Sequence, residues 1–450
     1  MSSSRRIILI GIDGASYEMM SHLASGGTLP HMQRLIEAGT FRRMTSSIPE
    51  VSPVAWNSII TGADPAEHGV FGFTDLAPGT YRTTFANSYT ADIPPFWARE
   101  GNGRAVVINM PFSYPARPLN GVLISGFVAL DLAKATYPPS LVPELKRMHY
   151  SLDVDSSKAH QSPDLFLRDL DRTLEGRIAA YRHLWDSELW QTFVLVFTGT
   201  DRLSHFLWDA YLDPAHRCHE AFLDHFRQVD AVVGEIADRL RPEDLLVIVS
   251  DHGFENLEQN VFVNAILREA GLLSFETPSP QGVRHLSHHA QAFALEPSRI
   301  YVHTRDRFPK GSVSESGKAT VLDEVTALFE DLRFEGRPVI KKVYHKEEIY
   351  SGPHLDRAPD LVLLAEPGFN LRGSLQAPQC FGKDIFKGKH ARDNAILLMY
   401  GDFDEDMIPV QPQVADVVGT VDRIISRDSL PMPELIGPYT KNMPEARQWT

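Results

Sequence analysis

Four short apolar runs constrain the fold of this chain more than any other feature. They are Ile7–Ile12, Ala105–Ile108, Thr192–Thr198 and Leu245–Val249. None alternates apolar with polar residues, so each reads as a strand buried on both faces. Between them lie stretches with helical spacing or helix-start signals: one opened by Leu29-Pro30, Ser52–Gly62, one from Pro94-Pro95, Leu141–Tyr150, Asp164–Trp190 and Phe222–Leu240. Strands alternating with helices predict an α/β chain with a mostly parallel central sheet and helices on both faces. Leu361–Leu364 and Ala395–Met399 are two later strand candidates. The stretch 256–345 is less regular and is expected to be an inserted cap, leaving 1–255 and 346–430 as the core. The cap carries His285, His288 and His289, expected in a solvated or substrate-facing loop. The Pro-rich tail, 431–450, is expected to wrap the surface.

In open α/β sheets ligands sit beyond the carboxyl ends of the strands. Asp13, Asp201, Asp251 and His252 follow predicted strands directly or within a few residues. His205 is four residues after Asp201, on the same face of a helix that starts there. His390 lies between the two late strand candidates. Ser52 fits the N-cap of its helix, with Pro53 at the first helical position and Gly62 as a left-handed stop. Ala55, Trp56, Ile59 and Ile60 give that helix an apolar stripe. A serine at the positive end of a helix dipole suits a phosphate. Each residue alone has a plain structural reading, as a turn cap, a core histidine or an ordinary capped helix. Together, three carboxylates and three imidazoles suit two borderline divalent metals, zinc before manganese. Such a pair serves phosphoryl transfer.

The 450-residue chain carries a net charge of −14. That argues against a nucleic-acid polymer or an anionic membrane as partner. An anionic substrate then requires a local positive centre, which bound metals supply. No apolar run reaches the eighteen or so residues of a membrane span. The run after Arg5-Arg6 breaks at Asp13-Gly14, too early for a secretory signal. Cys218 and Cys380 give neither a disulfide framework nor a zinc-ribbon spacing, so the expected compartment is the cytoplasm. The oligomeric state is left open.

Six pieces in order carry a family resemblance: Gly11-Ile12-Asp13-Gly14, Ser52-Pro53 through Thr61-Gly62, Asp64-Pro65-Ala66-Glu67-His68-Gly69, Thr200-Asp201-Arg202-Leu203-Ser204-His205, Ser250-Asp251-His252-Gly253 and His390. The chain resembles the alkaline phosphatase superfamily, in its branch of type I phosphodiesterases and nucleotide pyrophosphatases. The resemblance implies an alkaline-phosphatase-like sandwich. It implies one metal held by Asp13, Asp251, His252 and Ser52, and another by Asp201, His205 and His390. Ser52 would be the nucleophile, forming a covalent phosphoserine, and the substrate a small phosphate ester.

Four further residues are substrate-binding candidates: Trp56, Asn57, Phe73 and Arg202. Phe73 stands where nucleotide pyrophosphatases carry a phosphate-binding asparagine, with Asn57 and Asn109 as possible substitutes. Arg202 is expected to form a surface ion pair, with a swing toward the phosphate as the alternative. No arginine lies between Ser52 and Tyr81, which favours a diester over a monoester. The alternatives are a phosphomonoesterase, a cofactor-independent phosphomutase, or a non-catalytic metal-binding module. A sulfatase is disfavoured, because Ser52-Pro53-Val54-Ala55-Trp56 lacks the proline and arginine of that motif.

Overall fold

Strand β1 (Ile7–Ile12) is buried at every position and lies between two other fully buried strands. A computed structural model describes residues 5–99 and 103–429. The predicted surface tail lies outside the described residues. The main sheet also contains β2 (Thr40–Met44), β3 (Ala105–Met110), β4 (Gly121–Ser125), β5 (Thr136–Tyr137), β6 (Thr192–Phe197), β7 (Leu245–Val249) and β8 (Ala395–Tyr400). Its strand order is β2-β8-β7-β1-β6-β3-β4-β5. β8 and β5 run against their neighbours and the other strands share one direction. Ile7 is level with both Thr192 and Leu245, and Ile12 with Phe197. Three strands of matched length therefore end together, and the polar residues after them emerge along one edge.

The two faces of the sheet are covered separately. Ile8, Ile10, Phe193 and Leu195 share one core cluster with Leu174, Tyr181, Phe226 and Val233. These partners come from the helices Pro163–Ser187 and His219–Asp238. Ile7, Leu9, Val194 and Val196 point the other way, as the period of two requires. They share a cluster with Trp56, Ile59, Val417 and Ile424, from α1 (Ser52–Thr61) and the helix Asp416–Ser429. The segment after Pro95 forms only a short 3-10 turn, Phe96–Ala98.

The expected cap is a second α/β unit with its own core, in which Phe293, Tyr301, Val325, Phe329, Leu361 and Leu363 meet. Its antiparallel sheet runs in the order Ala292–Leu295, Arg299–Val302, Leu361–Ala365, Ile340–His345. Leu361–Ala365 therefore belongs to this smaller sheet and not to the main one, and a boundary at 345 cuts the unit short. Its continuous apolar run resembles a main-sheet strand because both of its faces are buried. Gly388–Ala391 then pairs antiparallel with Gly253–Asn256, which sets His390 opposite Phe254.

Candidate active site

The tight turn after β1 is built around Gly14, whose φ of +69° suits glycine. A side chain there would meet Phe254 at 2.7 Å. The turn leaves Asp13 buried, with Oδ2 accepting a hydrogen bond from Trp56 Nε1 at 3.1 Å. α1 starts one residue earlier than expected: Val51 is the extended N-cap and its carbonyl accepts from Val54 and Ala55. Ser52 is already helical, so its hydroxyl is not spent on capping and lies 3.3 Å from His252 Nε2. Gly62 ends the helix in the left-handed conformation. The helix after β6, α2 (Gly199–Leu212), carries Asp201 and His205 one turn apart.

Three imidazoles are fixed in the same way. Nδ1 of His205 faces the carbonyl of Gly388 at 3.2 Å, that of His390 the carbonyl of Glu50 at 2.9 Å, and that of His252 the carbonyl of Gly253 at 3.1 Å. A carbonyl only accepts, so each Nδ1 carries the proton and each Nε2 of a neutral ring turns a lone pair inward. His205 Nε2, His390 Nε2 and Asp201 Oδ1 lie 3.0, 3.3 and 3.4 Å apart pairwise. His252 Nε2 is 3.2 Å from Asp251 Oδ2 and 3.8 Å from Asp13 Oδ1. The structure brings all seven of Asp13, Ser52, Asp201, His205, Asp251, His252 and His390 to one place.

The electrostatics mark a candidate site for cations. Asp13 Oδ1, Asp201 Oδ1 and Asp251 Oδ2 are buried and find no hydrogen-bond donor, and these are the oxygens that face the imidazoles. Burial holds the Asp13 carboxyl well above its usual range, with Asp251 and Asp201 adding to the effect. Asp251 is pushed up to about 6, by burial first and by Asp201 next. Burial also opposes the charge on Asp201, but His205, His390 and Arg202 outweigh it and hold that carboxyl low. Burial lowers His205 to about 4 and His252 well below its ordinary value. Burial opposes the charge on His390 as well, but Asp201 and Asp251 outweigh it and hold that ring above its ordinary value. Crowded carboxylates and inward imidazole nitrogens of this kind are stable when a metal is coordinated among them. The groups Asp13, Asp251, His252 and Asp201, His252, His390 are each compact enough to hold an ion.

A cleft of about 280 Å³ opens onto Ser52, Asp201, His205 and His390. Its remaining walls include Phe73, Phe127, Arg202 and Phe386, with Glu296 and Asn370 to Arg372 from the smaller unit. The sequence matches the type I phosphodiesterase / nucleotide pyrophosphatase family over residues 7–393. The chain belongs to that family. Among curated proteins no sequence match was found. Phosphonoacetate hydrolase from Sinorhizobium meliloti 1021, solved with phosphonoacetate, aligns at a TM-score of 0.64 and 15% identity, over 94% of this chain and 96% of that one. An inactive murine ectonucleotide pyrophosphatase / phosphodiesterase 5, solved with AMP, aligns at 0.56 and 14% identity, over 95% and 96%. The human form aligns at 0.56 and 12% identity, over 94% and 95%. The fold is the alkaline-phosphatase-like α/β architecture expected from the sequence.

Within this family frame the four substrate-binding candidates separate. Phe73 lines the cleft, packed edge-on against Phe112 and Phe127 at centroid distances of 5.6 and 5.9 Å. Arg202 also lines it, and is not the surface ion pair expected. Its side chain is only 15% exposed, bonded to Asp153 at 2.9 Å and Asp201 at 3.0 Å, with its guanidinium 4.0 Å from the Phe127 centroid. Trp56 is fully buried behind Asp13 and does not reach the cleft. Asn57 bonds the Pro53 carbonyl of its own helix and lines a separate cavity. Asn109 is buried, bonded to Val196 and Arg177. The paired rings of His288 and His289 are solvent-exposed and outside the cleft, as expected of a solvated loop. Asp153, Phe127 and the wall from the smaller unit were missed. They lie in loops or in a half-buried strand where no spacing rule marks them.

Proposed function

We propose that this chain is a two-metal phosphodiesterase or pyrophosphatase acting through a covalent phosphoserine on Ser52. The observation that carries the reading is the convergence of three donorless carboxylate oxygens and three inward Nε2 atoms beside the Ser52 hydroxyl. Asp13, Asp251, His252 and Ser52 would hold one divalent ion, and Asp201, His205 and His390 the other. Mixed imidazole and carboxylate donors favour zinc. When bound, such ions act as Lewis acids on phosphoryl oxygen and make a hydroxyl a better nucleophile. Ser52 Oγ attacks phosphorus in line from the first turn of α1, whose positive end faces the phosphoryl group. The leaving oxygen departs on the far side, and water then hydrolyses the phosphoserine. The unpaired thiols Cys218 and Cys380 suit a cytoplasmic setting.

Arg202 supports a diester over a monoester. A monoester dianion needs an extra cation near the nucleophile. The guanidinium in reach is held by two carboxylates, so its charge is largely spent, and Phe73 and Phe127 offer apolar surface to an ester group. Specificity constants for aryl phosphodiesters should exceed those for aryl phosphomonoesters by at least about tenfold, roughly 1.4 kcal/mol. Ser52→Ala should keep about two metal ions per chain and lose orders of magnitude in rate. Rapid quench with labelled diester should place label on the Ser52 peptide. Label elsewhere, or near-normal turnover by Ser52→Ala, overturns the nucleophile. A monoester preference moves the reading to a phosphatase or phosphomutase.

A further inference from the structure

The cleft contains two arginines held in very different ways. Arg202 is clamped at 2.9 and 3.0 Å. Arg372 is 34% exposed and only loosely tethered, 3.6 Å from Glu296 and 3.4 Å from Asp384. Charge-assisted bonds in a settled pair run to about 2.7–2.9 Å, so an anion of better geometry can displace these partners. Arg372 ends the strand Phe369–Arg372, which alternates buried and half-buried residues. Phe369 and Leu371 enter the core of the smaller unit. Asn370 and Arg372 fall on the opposite face; the whole strand borders the cleft, and these two bring polar groups to it. Asn370 spends one amide hydrogen on Asn260 at 2.7 Å and keeps its carbonyl oxygen and a second N–H. No metal-ligand candidate lies on this strand.

We infer that Arg372, assisted by Asn370, is a specificity-determining residue that binds a second anionic group on the substrate, away from the phosphorus that Ser52 attacks. This rests on the phosphodiesterase reading and narrows it. The preferred substrate class is a phosphodiester or phosphoanhydride bearing a further phosphate or carboxylate. Guanidinium suits either group, since its fork of N–H donors matches two oxygens at once. Asp384 competes for the same fork in the free protein.

Two substrates separate the outcomes. Bis(p-nitrophenyl) phosphate carries its single charge at the reacting phosphorus, and ATP carries further phosphates. Arg372→Ala should lower kcat/KM for ATP at least about tenfold, mainly through KM, and leave the aryl diester within about twofold. Arg372→Lys should recover part of the loss, and Asp384→Asn should lower KM for ATP. The unchanged aryl diester rate shows that the variants fold. Equal losses on both substrates, no change on ATP, or a wild-type protein that hydrolyses the aryl diester but not ATP overturns the role of Arg372. A wild-type protein with no diester turnover overturns the phosphodiesterase reading itself.

Discussion

Asp13 divides its carboxylate between two duties. Oδ2 accepts the indole N–H of Trp56 and Oδ1 is left for the centre. The bond fixes the rotation of the carboxylate without using the oxygen that a metal would take, the usual part of an outer partner in a metal site. Trp56→Phe keeps most of the ring and removes the donor. A hydrogen bond to a buried charged group contributes about 1.5–3 kcal/mol. The variant should therefore hold its metal roughly ten- to a hundredfold more weakly in chelator competition, and activity should fall in step at limiting metal. Unchanged metal retention would make Trp56 a packing residue only. The sequence exposed most of the ligand candidates because they stand out against the apolar run or helix start beside them, whereas His390 has no such marker. Trp56 sits in the apolar stripe of α1, where an indole reads as core, so its polar end was not legible. Asn57, by contrast, looked available as a polar residue beside Ser52, but a helical side chain can bond its own preceding turn, and this one does.

Helix ends depend on partners distant in the chain as well as on local caps. The helix Pro30–Ala38 starts at Leu29, which has no capping side chain. Its first amides are satisfied by Asp230 from the helix His219–Asp238, whose oxygens accept from His31 N at 3.0 Å and Met32 N at 2.7 Å. The carboxylate also meets the positive end of the helix dipole. Asp230→Ala should cost about 1–2 kcal/mol in urea unfolding, in the range of a lost cap. Asp230→Asn, which keeps an acceptor, should cost less, and neither should alter metal content. Such pairing explains which elements the sequence shows. β1, β6 and β7 declare themselves by apolar runs alone. Leu361–Ala365 has the same composition, but its sheet is decided by Ile340–His345 and Arg299–Val302, partners far away in sequence. The late ribbon that sets His390 beside His252 is likewise a long-range pairing, built from short strands with little apolar pattern.

Buried titratable groups that do not line the cleft also shape how the whole molecule responds to acid. His225 is buried beside Gly199, where a Cβ would come within 2.8 Å of its Nε2. Neither ring nitrogen finds a hydrogen-bond partner in the protein. Burial, with Arg177 adding, lowers its pKa to about 3, against 6.5 for a free histidine. The folded state therefore binds this proton more weakly than the unfolded state does. Between about pH 6.5 and 3 the unfolded chain carries the extra proton, so stability falls as pH falls; above 6.5 both states are neutral and the effect is fully in favour of folding. The limiting slope for one such group is about 1.4 kcal/mol per pH unit. His68, lowered to about 3 by burial and by His354, acts in the same sense. His225→Leu removes a titrating group whose ring makes no hydrogen bond and replaces it by an apolar side chain of similar size. Urea unfolding of the metal-free protein at pH 7.5 and pH 5 should show the variant losing less stability on acidification than the wild type, by about 1 kcal/mol or more. An identical pH dependence in the two proteins would mean that His225 is protonated in the fold.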